Sequence, residues 1–300
     1  VNPSERELGW LGTGRLGTVM AARLIDAGER VVVWNRTTAK TAPLLEKGAR
    51  RAGKITDLAS CPVVFVCVSA DDDLRQVVAG DDGLLCAQRK PGLIVDCSTT
   101  SPGVSAEVRA AATVAGVGFL AAPVSGNPSA VAEGAACIVA SGPEASFTRA
   151  KPILDELAKV AVYAGDGEQS RLVKLSLSLY LGVMVQALAE VTSLAEKNGT
   201  TRAAFLEFFN STVLASDWVR NRTGDLLACD WTPTGTTETL RKDFDLGLGA
   251  ARELDVPLPV SVATRERIGS AIAGGLRDLD LLSLYEQQAN AAGVRPPPGS

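Results

Sequence analysis

The chain has 300 residues, 46% of them hydrophobic, which is enough for two domains with cores of their own. Its 30 basic and 34 acidic side chains leave a net charge of -4 with no basic run, which argues against a nucleic-acid partner. Histidine is absent, which removes serine and cysteine triads, His-ligated zinc and imidazole acid/base catalysis, so proton transfer falls to Lys, Tyr, Asp or Glu.

The opening Val1-Asn2-Pro3-Ser4-Glu5-Arg6-Glu7 is polar and lacks the apolar centre of a secretory signal; Val in place of Met implies a trimmed chain. Glu7–Leu11 reads as a strand, followed by Gly12-Thr13-Gly14-Arg15-Leu16-Gly17, a helical pattern to Ala27 stopped by Gly28, and a second strand over Val31–Trp34. This is a GxGxxG in a β-α-β context: Gly12 for a tight turn, Gly14 for close approach of a pyrophosphate, Gly17 for helix–strand packing. The helix start adds N–H groups and a positive dipole for the phosphates. An NAD site places Asp or Glu at the end of the second strand, whereas here stand Asn35-Arg36-Thr37. A guanidinium there suits a 2′-phosphate and adenine, so NADP is expected rather than NAD.

A helix is expected over Thr38–Lys47, strands over Val63–Val68 and Leu93–Cys97, and helices from near Asp71 and Pro102. The apolar strand runs suit a parallel sheet covered on both faces. Asp71-Asp72-Asp73 reads as a helix cap and dipole complement, since no ligand cluster accompanies it. Ser69 and Thr99 fall at strand ends, where a doubly wound sheet receives its ligand. Phe119–Ala121, Ala135–Ser141 and Ala161–Ala164 read as later strands and Glu144–Leu157 as a helix. Between the first two, Ala122-Pro123-Val124-Ser125-Gly126-Asn127-Pro128 carries turn chemistry; a carboxylate-gripping nest of N–H groups is the alternative, and the segment alone favours the turn.

After Gly165-Asp166-Gly167-Glu168 comes an apolar run, Leu172 to Ala189, in which Lys174 is the only charged residue. Its length, to Asn198-Gly199, makes it one long helix, with Lys174, Ser178, Leu181 and Val185 on a shared face. The run is about long enough to cross a bilayer, but Lys174, Ser176, Ser178 and Gln186 favour a buried helix and no membrane. A lone ammonium among apolar residues either serves a function or snorkels at an interface. Only helical patterns follow: Thr201–Asn210 behind a Thr200 cap, Lys242–Leu254, Leu258–Ala273 and Leu281–Ala292, then a Pro-rich tail over Val294–Ser300 expected to be disordered. The six cysteines, Cys61, Cys67, Cys86, Cys97, Cys137 and Cys229, form no CxxC and read as reduced core residues of a cytoplasmic protein.

Five segments, in this order, resemble the β-hydroxyacid dehydrogenase family, the group containing 3-hydroxyisobutyrate dehydrogenase and tartronate semialdehyde reductase. They are Gly12–Gly17, Asp96-Cys97-Ser98-Thr99-Thr100-Ser101-Pro102, Ala122–Gly126, Lys174 opening the long helix, and Lys242-Asp243-Phe244-Asp245-Leu246-Gly247-Leu248 as a helix start. The resemblance spans roughly Glu7 to Ala292. It implies an α/β Rossmann-type doubly wound domain over 1–164, a long interdomain helix over 165–198 and an all-α domain over 199–293 that usually dimerises, followed by the tail at 294–300. It also implies roles. Lys174 matches the catalytic lysine, and Val68, Ser69 and Thr99 match positions lining the cofactor site. Ser125 and Gly126 match the loop holding a substrate carboxylate through backbone amides, and Lys242 the lysine closing over the nicotinamide. The expected chemistry is hydride transfer between NADPH and a small semialdehyde or hydroxyacid, with Lys174 as proton donor and acceptor. Burial is expected to lower its pKa from about 10.4.

Three residues depart from the family pattern: Ala121 where Asp is usual, Asn127 in place of the loop's second glycine, and Ser178 where Asn usually follows the lysine. Asn127 is expected to reach the substrate position and Ser178 to replace the Asn contact at shorter range. The related imine reductases tend to share Asn-Arg-Thr but typically lack the lysine, and a non-catalytic NADP-binding module is expected to lose it. Retained Lys174 favours the dehydrogenase over both.

Overall fold

A computed structural model describes residues 7–294; the polar opening at 1–6 and the tail at 295–300 lie outside them. The chain begins with β1 (Glu7–Leu11), α1 (Arg15–Asp26) and β2 (Arg30–Trp34). A 3-10 turn at Thr38–Thr41 leads into α2 (Ala42–Glu46) and the two-residue β3 (Arg50–Arg51). The single helix expected over Thr38–Lys47 is thus two pieces. Pro43 sits in the first turn of α2, where its missing N–H costs nothing. Then come β4 (Val63–Val66), α3 (Asp71–Ala79), β5 (Leu93–Asp96), α4 (Pro102–Val114) and β6 (Gly118–Ala121).

These six strands form one parallel sheet in the order β3-β2-β1-β4-β5-β6. The order reverses at β1, so the crevice beyond the carboxyl ends of β1 and β4 is where such a sheet takes its ligand. Apolar residues fill both faces. Trp10, Phe65, Val33 and Leu93 pack with Met20 and Leu24 of α1, while Val64, Val66 and Ile94 pack with Leu74, Val78 and Val108 of α3 and α4. Trp10 and Phe65 stack with ring centres 5.3 Å apart.

The later strands leave this sheet. β7 (Val124–Ser125), α5 (Pro128–Ala132), β8 (Cys137–Ala140), α6 (Glu144–Leu157) and β9 (Val160–Tyr163) build a second sheet, β7-β8-β9, with β7 antiparallel and β9 parallel to β8. A bridge between Ala121 and Ser141 joins the two sheets.

α7 (Gln169–Lys197) is the long helix, 29 residues, and is long and apolar enough by composition to cross a bilayer; 44% of its most apolar window is buried. Among the described residues only helices follow: α8 (Arg202–Ser211), α9 (Asp217–Ala228), α10 (Thr237–Glu253), α11 (Pro259–Ala273) and, after a 3-10 turn at Leu281–Ser283, α12 (Leu284–Ala292). The cap of α8 is Thr201, not Thr200: its hydroxyl accepts from Ala204 N–H. α10 starts five residues before Lys242, capped by Thr236, so Lys242 and Asp243 lie in its second turn rather than at its start. The chain divides into two compact units, Val1–Leu175 and Ser176–Ser300, so the division falls inside α7.

Candidate active site

Gly12 has a φ of +97°, and a Cβ there would lie 2.1 Å from the Cys67 carbonyl; one at Gly17 would lie 2.2 Å from the Gly12 carbonyl. Both positions therefore require glycine to close the turn. Gly14 differs, because a Cβ there meets nothing within 4 Å. The protein does not fill that space, so Gly14 leaves room for an outside group at the start of α1. α1 has no side-chain cap and no acid in its first turn, which leaves its N–H groups and positive dipole for an anion. The Thr13 hydroxyl is buried with no hydrogen-bond partner among the described residues. These features fit the pyrophosphate of a dinucleotide. Arg15 is exposed and Leu16 half-buried beside the turn.

At the end of β2, Asn35 is used within the protein: its Oδ1 accepts from Thr13 N–H at 2.9 Å and its Nδ2 donates to the Thr37 carbonyl at 3.0 Å. It shapes the glycine turn. Arg36 and Thr37 are exposed, and the Arg36 guanidinium donates to Asp73 of α3 at 3.2 Å. A cavity of about 190 Å³ beside them is lined by Trp34, Asn35, Thr38, Thr41, Arg51 and Ala52–Gly53. It contains a second arginine that sequence reading missed, because a two-residue strand leaves no periodicity to read. The acidic run is spread over three partners: Asp71 accepts from Ser101, Asp72 from Arg75 and Asp73 from Arg36. The cap of α3 is Ala70, so these acids complement the helix dipole but do not cap it.

Past β4 and β5 stand Val68, Ser69 and Thr99, at the same sheet edge as the glycine turn. Val68 N–H donates to Ser98 Oγ at 2.9 Å, joining the two loops. Burial, then the Asp96 carboxylate, push the Cys67 thiol up to about 12, and burial pushes Cys97 well above its usual range. Neither supplies a thiolate near neutral pH. All six cysteines are free thiols; Cys86 and Cys137 are exposed rather than in the core.

The substrate-loop candidates sit on the second sheet. Ser125 pairs with Cys137, and Gly126 has a φ of +146° with Ala136 and Ala130 close to any added Cβ. Asn127 caps α5, its Oδ1 accepting from Ala130 N–H at 2.9 Å. Its side chain thus turns back to the chain, and its φ of -78° makes no demand for glycine.

The entry to α7 is fastened to the first unit. Arg109 of α4 donates to Glu168 at 2.8 Å and to the Gly167 carbonyl at 2.9 Å, and Tyr163 donates to Asp166 at 2.5 Å. Lys174, half-buried, lies one turn beyond this anchorage, inside the unit that holds the glycine turn. In the second unit, buried Ser178 donates to Asp243 Oδ2 at 2.8 Å, and Lys242 Nζ lies 3.4 Å from Asp243 Oδ1. Ser178 therefore has a carboxylate partner that sequence reading did not anticipate.

Residues 7–165 match the model for the NAD binding domain of 6-phosphogluconate dehydrogenase, and residues 168–287 that for the NAD-binding domain of NADP-dependent 3-hydroxyisobutyrate dehydrogenase. An uncharacterized oxidoreductase of Bacillus subtilis is 33% identical over 92% of this chain and 97% of its own length. The cytokine-like nuclear factor N-PAC of Homo sapiens is 26% identical over 95% of this chain, which spans about half of that protein, 52%. The crystal structure of 3-hydroxyisobutyrate dehydrogenase from Salmonella typhimurium superposes with a TM-score of 0.84 at 28% identity, covering 94% of this chain and 99% of that one. With both halves matched and the glycine turn in place, the chain belongs to the β-hydroxyacid dehydrogenase family of NAD(P)-dependent oxidoreductases.

Proposed function

We propose that the protein transfers a hydride between NADPH and a small β-hydroxyacid or its semialdehyde, with Lys174 as the acid and base. The observation that carries this reading is the placement of Lys174 one turn into α7, past an anchored entry and in the same compact unit as the glycine turn. The nicotinamide cofactor supplies the hydride. Gly12–Gly17 receive its pyrophosphate, Val68, Ser69 and Thr99 line its path, and Arg36, with Thr37, meets the 2′-phosphate. Lys174 gives a proton to the substrate oxygen during reduction and takes the hydroxyl proton during oxidation. Ser125 and Gly126 hold the carboxylate. In the second unit, Lys242 and Ser178 are the residues the family resemblance assigns to cofactor and substrate, and Ser178, with its proton on Asp243, offers an acceptor. The reading extends to a cytoplasmic homodimer formed through the helical domain, with neither nucleic acid nor membrane as partner.

The test is a panel of 3-hydroxyisobutyrate with NADP+, and tartronate semialdehyde and a cyclic imine with NADPH, run on wild type and Lys174→Ala. Turnover of an acid that Lys174→Ala loses, with NADPH still bound, supports the reading. Turnover of the imine alone replaces it with C=N reduction. NADPH binding with no turnover across the panel replaces it with a binding module.

A further inference from the structure

We propose that Arg171 is a positioning residue for Lys174: paired with buried Asp96, it fixes where the first turns of α7 lie against the ends of β4 and β5. This rests on the proton-transfer role given to Lys174.

Arg171 is 1% exposed and Asp96 0%. The guanidinium makes three contacts in three directions: Nη2 to Asp96 Oδ2 at 2.5 Å, Nη1 to the Ser98 carbonyl at 2.5 Å, and Nε to Ser105 Oγ at 3.0 Å. The other carboxylate oxygen, Oδ1, accepts from Ser98 N–H at 3.0 Å. Ser98 Oγ in turn accepts from Val68 N–H. One planar cation thus joins the segments carrying Val68, Ser69 and Thr99 to the helix carrying Lys174. The pair is buried, and Asp96 pairs in register with Ala121, so a methyl stands where the family usually has a second carboxylate. Asp96 therefore has no rival for Arg171 at that position.

Apolar packing alone holds a helix but tolerates small slides and rotations. A rigid fork bonded to a carboxylate, a carbonyl and a hydroxyl does not. A buried ion pair adds little stability over apolar residues of the same size, and its best-attested use is to specify one register. Lys174 follows Arg171 by three residues, about 4.5 Å along the axis and on the same side of the helix. Whatever fixes Arg171 therefore fixes the Lys174 backbone. Neighbouring Ser170 reinforces the point, its Oγ lying 2.7 Å from Ser141 Oγ and donating to the Ala121 carbonyl at 3.2 Å.

The test is a two-residue cycle of Arg171→Lys and Lys174→Ala, assayed with whichever of 3-hydroxyisobutyrate or tartronate semialdehyde the wild type turns over. Arg171→Lys keeps the charge but loses the fork. A misplacement on the order of 1 Å lowers kcat by up to about a hundredfold, so a loss of ten- to a hundredfold is expected. The NADPH dissociation constant and the substrate KM should move by less than about threefold. Amide exchange over 170–175 in the NADPH complex should quicken. In the Lys174→Ala background the same change should cost less than about twofold, because it acts through the missing amine. An unchanged kcat, or an equal loss with and without Lys174, overturns the anchor and leaves the role of Lys174 standing. Wild-type turnover in Lys174→Ala overturns both. Should Arg171→Lys fail to fold, the doubly neutral D96N/R171M, which leaves no lone buried ion, is read in the same way.

Discussion

Arg36 and Asp73 meet at 3.2 Å with 77% of the arginine side chain exposed; Arg171 and Asp96 meet at 2.5 Å with 1% and 0%. Both pairs lie near the carboxyl edge of the main sheet. An exposed pair is screened, is worth at most about 1 kcal/mol, and releases its cation readily to a better anion. A buried pair has lost its water and has nowhere to go, since parting it leaves a bare ion in an apolar interior. The same two residue types therefore suit opposite tasks: the exposed pair can yield its cation to a mobile anion, and the buried pair can hold a frame still.

The largest break in that comparison is Arg171→Met. It strands Asp96 as an unpaired buried carboxylate and should lower stability by about 3–5 kcal/mol in urea unfolding. D96N/R171M should recover most of that loss, because no charge remains to be solvated. If the single and double variants were equally unstable, the pair would matter for packing rather than charge.

The thiol beside Asp96 reports on the same buried region. The Cys67 thiol stands at about 12 against a usual value of 9.0, so between those values the folded protein keeps a proton that the unfolded chain releases. Stability is unaffected below that window and falls as pH rises through it, with Cys61, pushed by burial to about 11, acting in the same direction. Urea midpoints from pH 7 to 11 should show the fall, and Cys67→Ala should make it shallower, leaving the part due to Cys61; an equal slope in the variant would place the cause elsewhere.

The exposed pair should give smaller and more selective effects. Arg36→Ala should weaken NADPH by about tenfold, the cost of one charge-assisted contact, and leave NADH nearly unchanged. Asp73→Asn, which frees the guanidinium, should tighten NADPH by no more than a few-fold. Equal losses of both cofactors in Arg36→Ala would remove Arg36 from the choice between them.

How far the sequence reveals this contrast follows from where the information lies. Strands β1, β2, β4 and β5 are continuous apolar runs between turn residues, and the glycine turn is fixed by local spacing, so both are legible. The long helix is legible by length. Arg171 is not, because it stands just before the apolar run and reads as ordinary helix-start charge; its burial depends on Asp96, 75 residues away. α9 escapes notice because its buried face includes Arg222 alongside Val219 and Leu226, which blurs the apolar stripe. The fate of β8 and β9 in a second sheet is a matter of pairing, on which apolar alternation is silent. Asn127 illustrates the same limit, since a side chain expected to reach the substrate is held by the amide of Ala130.

The central claim is that the Lys174 amine moves the proton, and chemical rescue tests it most directly. Lys174→Ala, saturated with NADPH, should lose about 10²- to 10⁴-fold in kcat while its NADPH dissociation constant stays at the wild-type value. Added methylamine or ethylamine should then restore part of the rate, in proportion to the amine's concentration and basicity. Turnover near the wild-type rate without any added amine would contradict the account.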